Sequence, residues 1–204
     1  MSEITALFPG TFDPYTNGHL DLTRRAARLF DRVVVAVARS TAKGTLFPIE
    51  ERVGMIQQAC RALKRVEVVS FEDLVVDCAT RVGAQVMIRG IRAVSDFEFE
   101  FQMALMNRRL SSRIEVAFLM PSQQYTYLNS TLVKEVARLG GKIQGLVPRH
   151  VEDALRKKLR ESGAAMKTGD PAKSVAGAAN GSRPAPSRTA QRSARPRPAR
   201  KAAR

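Results

Sequence analysis

Pro9-Gly10-Thr11-Phe12-Asp13-Pro14-Tyr15-Thr16-Asn17-Gly18-His19-Leu20 stands between an apolar run, Ile4 to Phe8, and an amphipathic one. The apolar run reads as a short buried strand, and Gly10 and Asp13-Pro14 punctuate the loop after it. Thr16 or Asn17 can cap a helix from about Gly18 to Phe30, with Leu20, Thr23, Ala27 and Phe30 on one face. Gly10 lets the backbone turn sharply and come close to a ligand. Thr11 offers a hydroxyl and Phe12 a backbone N–H. Gly18 and His19 fall in the first helical turn, where unpaired N–H groups and the positive end of the helix dipole form an anion site. The His19 imidazole there points a donor at a bound phosphate. Asp13 suits bracing of the loop through backbone N–H groups, and no chemistry is assigned to it.

A second stretch, Ile88-Arg89-Gly90-Ile91-Arg92, also follows an apolar run. The two stretches place phosphate-binding groups at the ends of two predicted strands. Further strands are expected at Arg32 to Ala38, Val66 to Ser70, Gln85 to Ile88 and Ile114 to Met120. Helices are expected at Ile49 to Leu63, Asp73 to Gly83, Ser95 to Leu110, Asn129 to Leu139 and Arg149 to Glu161. Ser95 with Glu98 reads as a capping box for the third of these. Strands alternating with helices give an α/β fold, a doubly wound parallel five-stranded sheet with C-terminal helices. Ligands of such sheets bind beyond the carboxyl ends of the strands, near the switch in strand order.

The chain has 204 residues and a net charge of +15. Ala164 to Arg204 holds ten Lys or Arg against one Asp, a net +9, so the other 163 residues carry +6. This segment is rich in Ala, Pro, Gly, Ser and Arg and has no aromatic residue. It cannot bury enough apolar surface to offset chain entropy, so a folded domain is expected over 1–162 and a disordered basic tail over 163–204. Such an arm can attract nucleic acid, acidic proteins or anionic membrane, or serve only as a solubilising extension. Nucleic-acid binding, if any, is expected through the tail alone. Cys60 and Cys78 lack metal-type spacing and read as buried free thiols of a reducing cytosol. No signal peptide and no membrane-spanning run is visible, so a cytoplasmic protein is expected.

The segments Pro9 to Pro14 and Thr16-Asn17-Gly18-His19 resemble the (T/H)xGH motif of the nucleotidyltransferase superfamily. More narrowly, they resemble the bacterial phosphopantetheine adenylyltransferase family. The similarity continues through Arg89-Gly90-Ile91-Arg92, Asp96-Phe97-Glu98-Phe99-Glu100, Met106-Asn107 and Ser130 to Val136, in order, over roughly residues 4 to 160. The resemblance implies a Rossmann-like nucleotidyltransferase fold. It also implies transfer of AMP from ATP to 4′-phosphopantetheine, giving dephospho-coenzyme A and pyrophosphate, with Mg²⁺ on the ATP phosphates and a homohexamer as the assembly.

The nucleophile of that reaction is a phosphate already ionised at neutral pH, so no general base is needed. The enzyme must align the two phosphates and neutralise charge building on the α-phosphate. By resemblance, His19 is the catalytic residue that stabilises the transition state. Thr11, Phe12, His19, Gly90, Ile91, Arg92 and Glu100 would hold ATP. So would Tyr125, Thr126, Tyr127, Leu128, Asn129, Ser130 and Thr131, which precede and open a helix. Thr11, Lys43, Leu74, Val75, Arg89, Asn107 and Glu135 would hold the pantetheine substrate. Asn129 stands where the family carries Ser; Asn is a good N-cap, so the helix start is expected to survive. A nucleotidyltransferase for nicotinamide mononucleotide or a cytidylyl donor is the nearest rival, and Lys43 and the Arg89–Glu100 region argue against it. A nucleic-acid-binding protein acting through its tail is the rival from another class.

Overall fold

The structure is a computed structural model that describes residues 3–39 and 44–161. In chain order it forms β1 (Thr5–Gly10), α1 (Asn17–Leu29), β2 (Arg32–Ala38), α2 (Ile49–Cys60), β3 (Val66–Phe71) and α3 (Val75–Arg81). There follow β4 (Val86–Gly90), α4 (Val94–Leu110), β5 (Glu115–Leu119), a 3₁₀ turn at Gln123–Tyr125, α5 (Ser130–Arg138) and α6 (Arg149–Glu161). The five strands make one sheet in the order β3-β2-β1-β4-β5, parallel throughout. Both the tail and Lys43 lie outside the described residues.

The sheet is covered on both faces, which is why its middle strands are continuous apolar runs. Ala6 and Phe8 with Val33, Val35 and Val37 pack under Leu20, Leu22 and Ala26 of α1 and Ile49 and Ile56 of α2. Leu7, Val34, Ala36 and Met87 pack on the other face against Val76, Cys78 and Ala79 of α3. A third apolar cluster joins Val133 and Ala137 of α5 to Val151, Leu155 and Leu159 of α6, together with Phe47 and Met55. Both cysteines are buried and unpaired.

From β1 the chain runs outward through β2 to β3, then returns to the opposite side of β1 with β4. The switch in strand order therefore falls between β1 and β4, and the ends Gly10 and Gly90 flank it. Here a crevice opens beyond the strand ends.

Element ends differ from expectation by a few residues. The core stripe of α1 is Leu20, Leu22, Thr23 and Ala26; Ala27 and Phe30 lie at its margin, because the helix starts at Asn17 and turns its buried side accordingly. Helix α4 begins at Val94 after Ala93, so Ser95 sits within the first turn and the expected Ser95–Glu98 capping box is not its start. Helix α3 is shorter than predicted, entering at Val75 after Leu74 and ending before Val82.

Candidate active site

A cavity of about 850 Å³ occupies the switch point. Its walls come from the exit of β1 (Gly10, Thr11, Phe12, Asp13), the first turn of α1 (Thr16, Gly18, His19) and the exit of β4 (Arg89, Gly90, Arg92). Glu100, Met103 and Asn107 of α4, Val75 of α3, and the segment Tyr125, Leu128 to Thr131 and Lys134 complete it. A smaller hollow of about 390 Å³ lies between α2 and β3. Its acid, Glu67, is bound by Arg32, so the larger cavity is where the phosphate-type groups converge.

Thr16 and His19 form a capping box in which an imidazole replaces the usual Glu or Gln. The Thr16 hydroxyl accepts from the His19 N–H at 3.3 Å, and His19 Nδ1 accepts from the Thr16 N–H at 3.0 Å. A nitrogen that accepts from an amide carries no hydrogen, so the neutral ring holds its hydrogen on Nε2. Tyr15 stacks on the ring with centroids 5.5 Å apart, and Phe12 meets it edge-on at 5.1 Å. Desolvation in this aromatic setting, helped by the Arg92 charge, lowers the His19 pKa to about 4. At neutral pH the residue is therefore an uncharged donor fixed in direction.

The β1 exit is tightly held. A Cβ at Gly10 would come 2.8 Å from the Phe12 ring, so only glycine lets that ring sit against the strand end. Phe12 has a φ of +50°, in the left-handed region that non-glycine residues seldom enter. Asp13 is buried and accepts from the backbone N–H groups of Leu46 and Phe47 at 2.9 and 3.0 Å. It also pairs with Lys134 at 2.6 Å. Bracing is what Asp13 does here, across to a different loop and to α5.

The β4 exit presents two arginines, each aimed by a carboxylate. Arg89 donates from Nε and Nη2 to Glu100 at 2.6 and 2.7 Å, and from Nη1 to Pro9 O at 3.3 Å. Arg92 grips Asp96 at 3.0 and 3.2 Å and donates to Leu128 O at 3.0 Å. Each guanidinium has five N–H groups, so two remain for a ligand. A Cβ at Gly90 would meet Leu22 Cδ1 at 2.7 Å, which lets β4 pass close beneath α1. Ile91 spends its N–H on Leu119 O, leaving its carbonyl free of that role.

Helix α5 is capped by Asn129, whose Oδ1 accepts from the Leu132 N–H at 2.7 Å. Ser130 donates its hydroxyl to Pro14 O at 2.8 Å, tying this helix start to the β1 exit loop. Ser122 is held from α1 by Asp21, at 2.8 Å to its N–H and 3.0 Å to its hydroxyl.

Not every expected residue reaches the cavity. Thr126 and Tyr127 lie in the same segment but do not line it, and Tyr127 is largely exposed. Leu74 is exposed where Val75 faces the cavity, and Glu135 is exposed and does not line it. Asn107 is buried and donates to Met87 Sδ at 3.5 Å. Sequence reasoning missed Asp96, Lys134 and Arg52. The signal for Arg52 is a charge in the apolar stripe of α2, between Ile49 and Ile56 at helical spacing. Asp96 stands four residues after Arg92, a spacing visible in the sequence, whereas the partner of Lys134 is tertiary and leaves no such mark.

A parallel sheet with a neutral histidine in the first turn of α1, and arginines at the opposite strand exit, is equipped to bind and orient phosphate groups. The chain matches the cytidylyltransferase-like family over residues 7–136. It is 52% identical over 160 residues to a phosphopantetheine adenylyltransferase from Methylococcus capsulatus, covering 78% of this chain and 99% of the relative. It is 55% identical over 151 residues to one from Gloeobacter violaceus, covering 74% and 94%. This chain belongs to the phosphopantetheine adenylyltransferase family. Among solved structures, one from Vibrio parahaemolyticus described as a nicotinate-nucleotide adenylyltransferase superposes with a TM-score of 0.59 at 16% identity. That match covers 82% of this chain and 98% of the other, and speaks for the fold alone.

Proposed function

We propose that this site transfers the adenylyl group of ATP to 4′-phosphopantetheine, giving dephospho-coenzyme A and pyrophosphate. The observation that carries the reading is the fixed, uncharged Nε2–H of His19 at the start of α1, in one cavity with Arg89 and Arg92. A phosphate oxygen of 4′-phosphopantetheine attacks the ATP α-phosphorus in line. The bond to the β-phosphate oxygen breaks, and pyrophosphate leaves with that electron pair. No proton has to be removed, so the carboxylates at the cavity are free to aim cations instead. His19 donates to the α-phosphate as charge builds there. Arg92 and the α5 start hold the departing phosphates, Arg89 and Lys43 hold the attacking one, and Val75 and Asn107 flank the pantetheine arm.

Mg²⁺ accompanies ATP in this reading, neutralising phosphate charge. The donor set fits an ion carried mainly by phosphate oxygens and water. Asp13, Asp96 and Glu100 are each engaged by a cation, so hydroxyls of the cavity wall such as those of Thr11 and Thr131 would meet its hydration shell. A homo-oligomer, a hexamer as in the family, is supported by α4, which exposes Val94, Phe99, Met106 and Leu110. A cytoplasmic location is supported by the two unpaired thiols. Among the described residues no helix is long and apolar enough to cross a membrane.

The test is pyrophosphate release from ATP by the full chain. Release that requires 4′-phosphopantetheine is expected. Equal release with nicotinamide mononucleotide, or none with either, overturns the reading.

A further inference from the structure

Arg52 is 1% exposed, yet among the described residues no carboxylate pairs with it. Its guanidinium instead donates to backbone carbonyls: Phe47 at 3.0 Å, Thr11 at 2.7 Å, Ala38 at 2.9 Å and Arg39 at 3.4 Å. These oxygens belong to the exits of β1 and β2 and to the turn before α2. Burying a cation this way is costly, and an apolar side chain of similar volume often serves stability as well or better. A structural filler alone does not account for the choice.

The shortest of the four bonds matters most. The Thr11 carbonyl and the Phe12 N–H belong to one peptide unit, which is trans and planar, so the two groups point in opposite directions. Arg52 lies behind the cavity wall and is not part of its lining, while Thr11 and Phe12 are. Drawing the carbonyl toward Arg52 turns the Phe12 N–H toward the cavity. Among the described residues that N–H has no protein partner. The +50° φ of Phe12 is the backbone cost of this orientation, and such conformations persist only where the surroundings over-determine them. On the far side of Phe12, Asp13 is held by Leu46, Phe47 and Lys134.

We propose that Arg52 is a positioning residue for adenylyl transfer: through the Thr11 carbonyl it fixes the Phe12 N–H as a donor to the α-phosphate. This rests on the function proposed above. Arg52 touches neither substrate; it acts through a peptide plane. An ammonium cannot reach four carbonyls in a plane, so lysine is not an equivalent substitute.

The test uses the full chain carrying Arg52→Lys or Arg52→Met, with rates expressed per ATP-binding site. The expected kcat falls about 100-fold, in line with a catalytic donor moved out of place, while KM for both substrates stays within about threefold. Wild-type enzyme should discriminate between the two diastereomers of ATP sulfur-substituted at the α-phosphate, and the variants should lose most of that discrimination. A general loss of stability moves the number of active sites but not this ratio. A kcat within about threefold of wild type with an unchanged ratio overturns the proposal. Residue-resolved amide exchange on the wild type tests the peptide orientation on which the proposal depends, even if a variant does not fold. The Phe12 amide should exchange fast in the free enzyme and slow with ATP; a protected Phe12 amide in the free enzyme overturns the proposal. Should the wild type make no dephospho-coenzyme A, the proposed reaction fails, and the exchange result still judges the peptide orientation.

Discussion

His19 owes its role to a nitrogen that is already spent. Nδ1 accepts the Thr16 N–H, so the ring is anchored at the helix start and only Nε2–H is left for a ligand. Replacing His19 by Ala should lower kcat by about 10²- to 10³-fold, the usual cost of one transition-state donor. A variant with near-wild-type turnover in the pyrophosphate assay would sink the role given to this residue. The titration is also predictable. The folded pKa, about 4, lies below the unfolded value of 6.5, so between those values the unfolded chain binds more protons. Stability is therefore full above about pH 6.5 and is lost as pH falls toward 4, by at most about 3 kcal/mol and less because the ring is only partly buried. Urea unfolding at pH 7 and 4.5 should show a larger loss for wild type than for His19→Gln. In NMR the His19 ring should titrate near 4 in the free enzyme and higher with pyrophosphate bound, because a nearby anion favours the charged form.

At the scale of elements, the cavity is an assembly of chain ends. The exits of β1 and β4 meet because the sheet reverses its order between them, and α1 and α5 each point an N-terminus there. Much of this was legible. Five strands and six helices were expected in this order, and Thr16 and Asn129 carry cap chemistry on their face. The α4 start differs from expectation because Ser95 and Glu98 have the right spacing for a cap two residues too late. A local signature says nothing of where the preceding strand releases the chain. Asn129→Ala should cost about 1 kcal/mol by removing the cap, whereas Asn129→Ser should stay within a few tenths. Thermal unfolding of the two variants checks this, and a rise in KM for ATP should accompany the alanine change alone.

On the scale of the whole molecule, α4 exposes apolar side chains on several sides, more than a solitary domain of this size ordinarily shows. A Phe99→Glu, Leu110→Glu double variant should sediment as a smaller species than wild type, and identical sedimentation would remove α4 from any assembly interface. Removing residues 163–204 takes away +9 of the net charge of +15 and should leave adenylyl transfer within about twofold. A collapse of transfer on truncation would mean that the domain boundary is misplaced.

By itself the sequence determined the alternation of elements, the two phosphate-type strand exits and the family, because periodicity, caps and motif spacing are properties of neighbours along the chain. Only the tertiary structure decided which charges do what. Asp13 meets Lys134 across 121 residues, and Arg52 meets the Thr11 carbonyl across 41. Arg89 at the exit of β4 is aimed by Glu100 of α4. Such partners are chosen by how the strand exits converge, and that convergence comes from burying both faces of the sheet, a global condition that no short stretch of chain encodes.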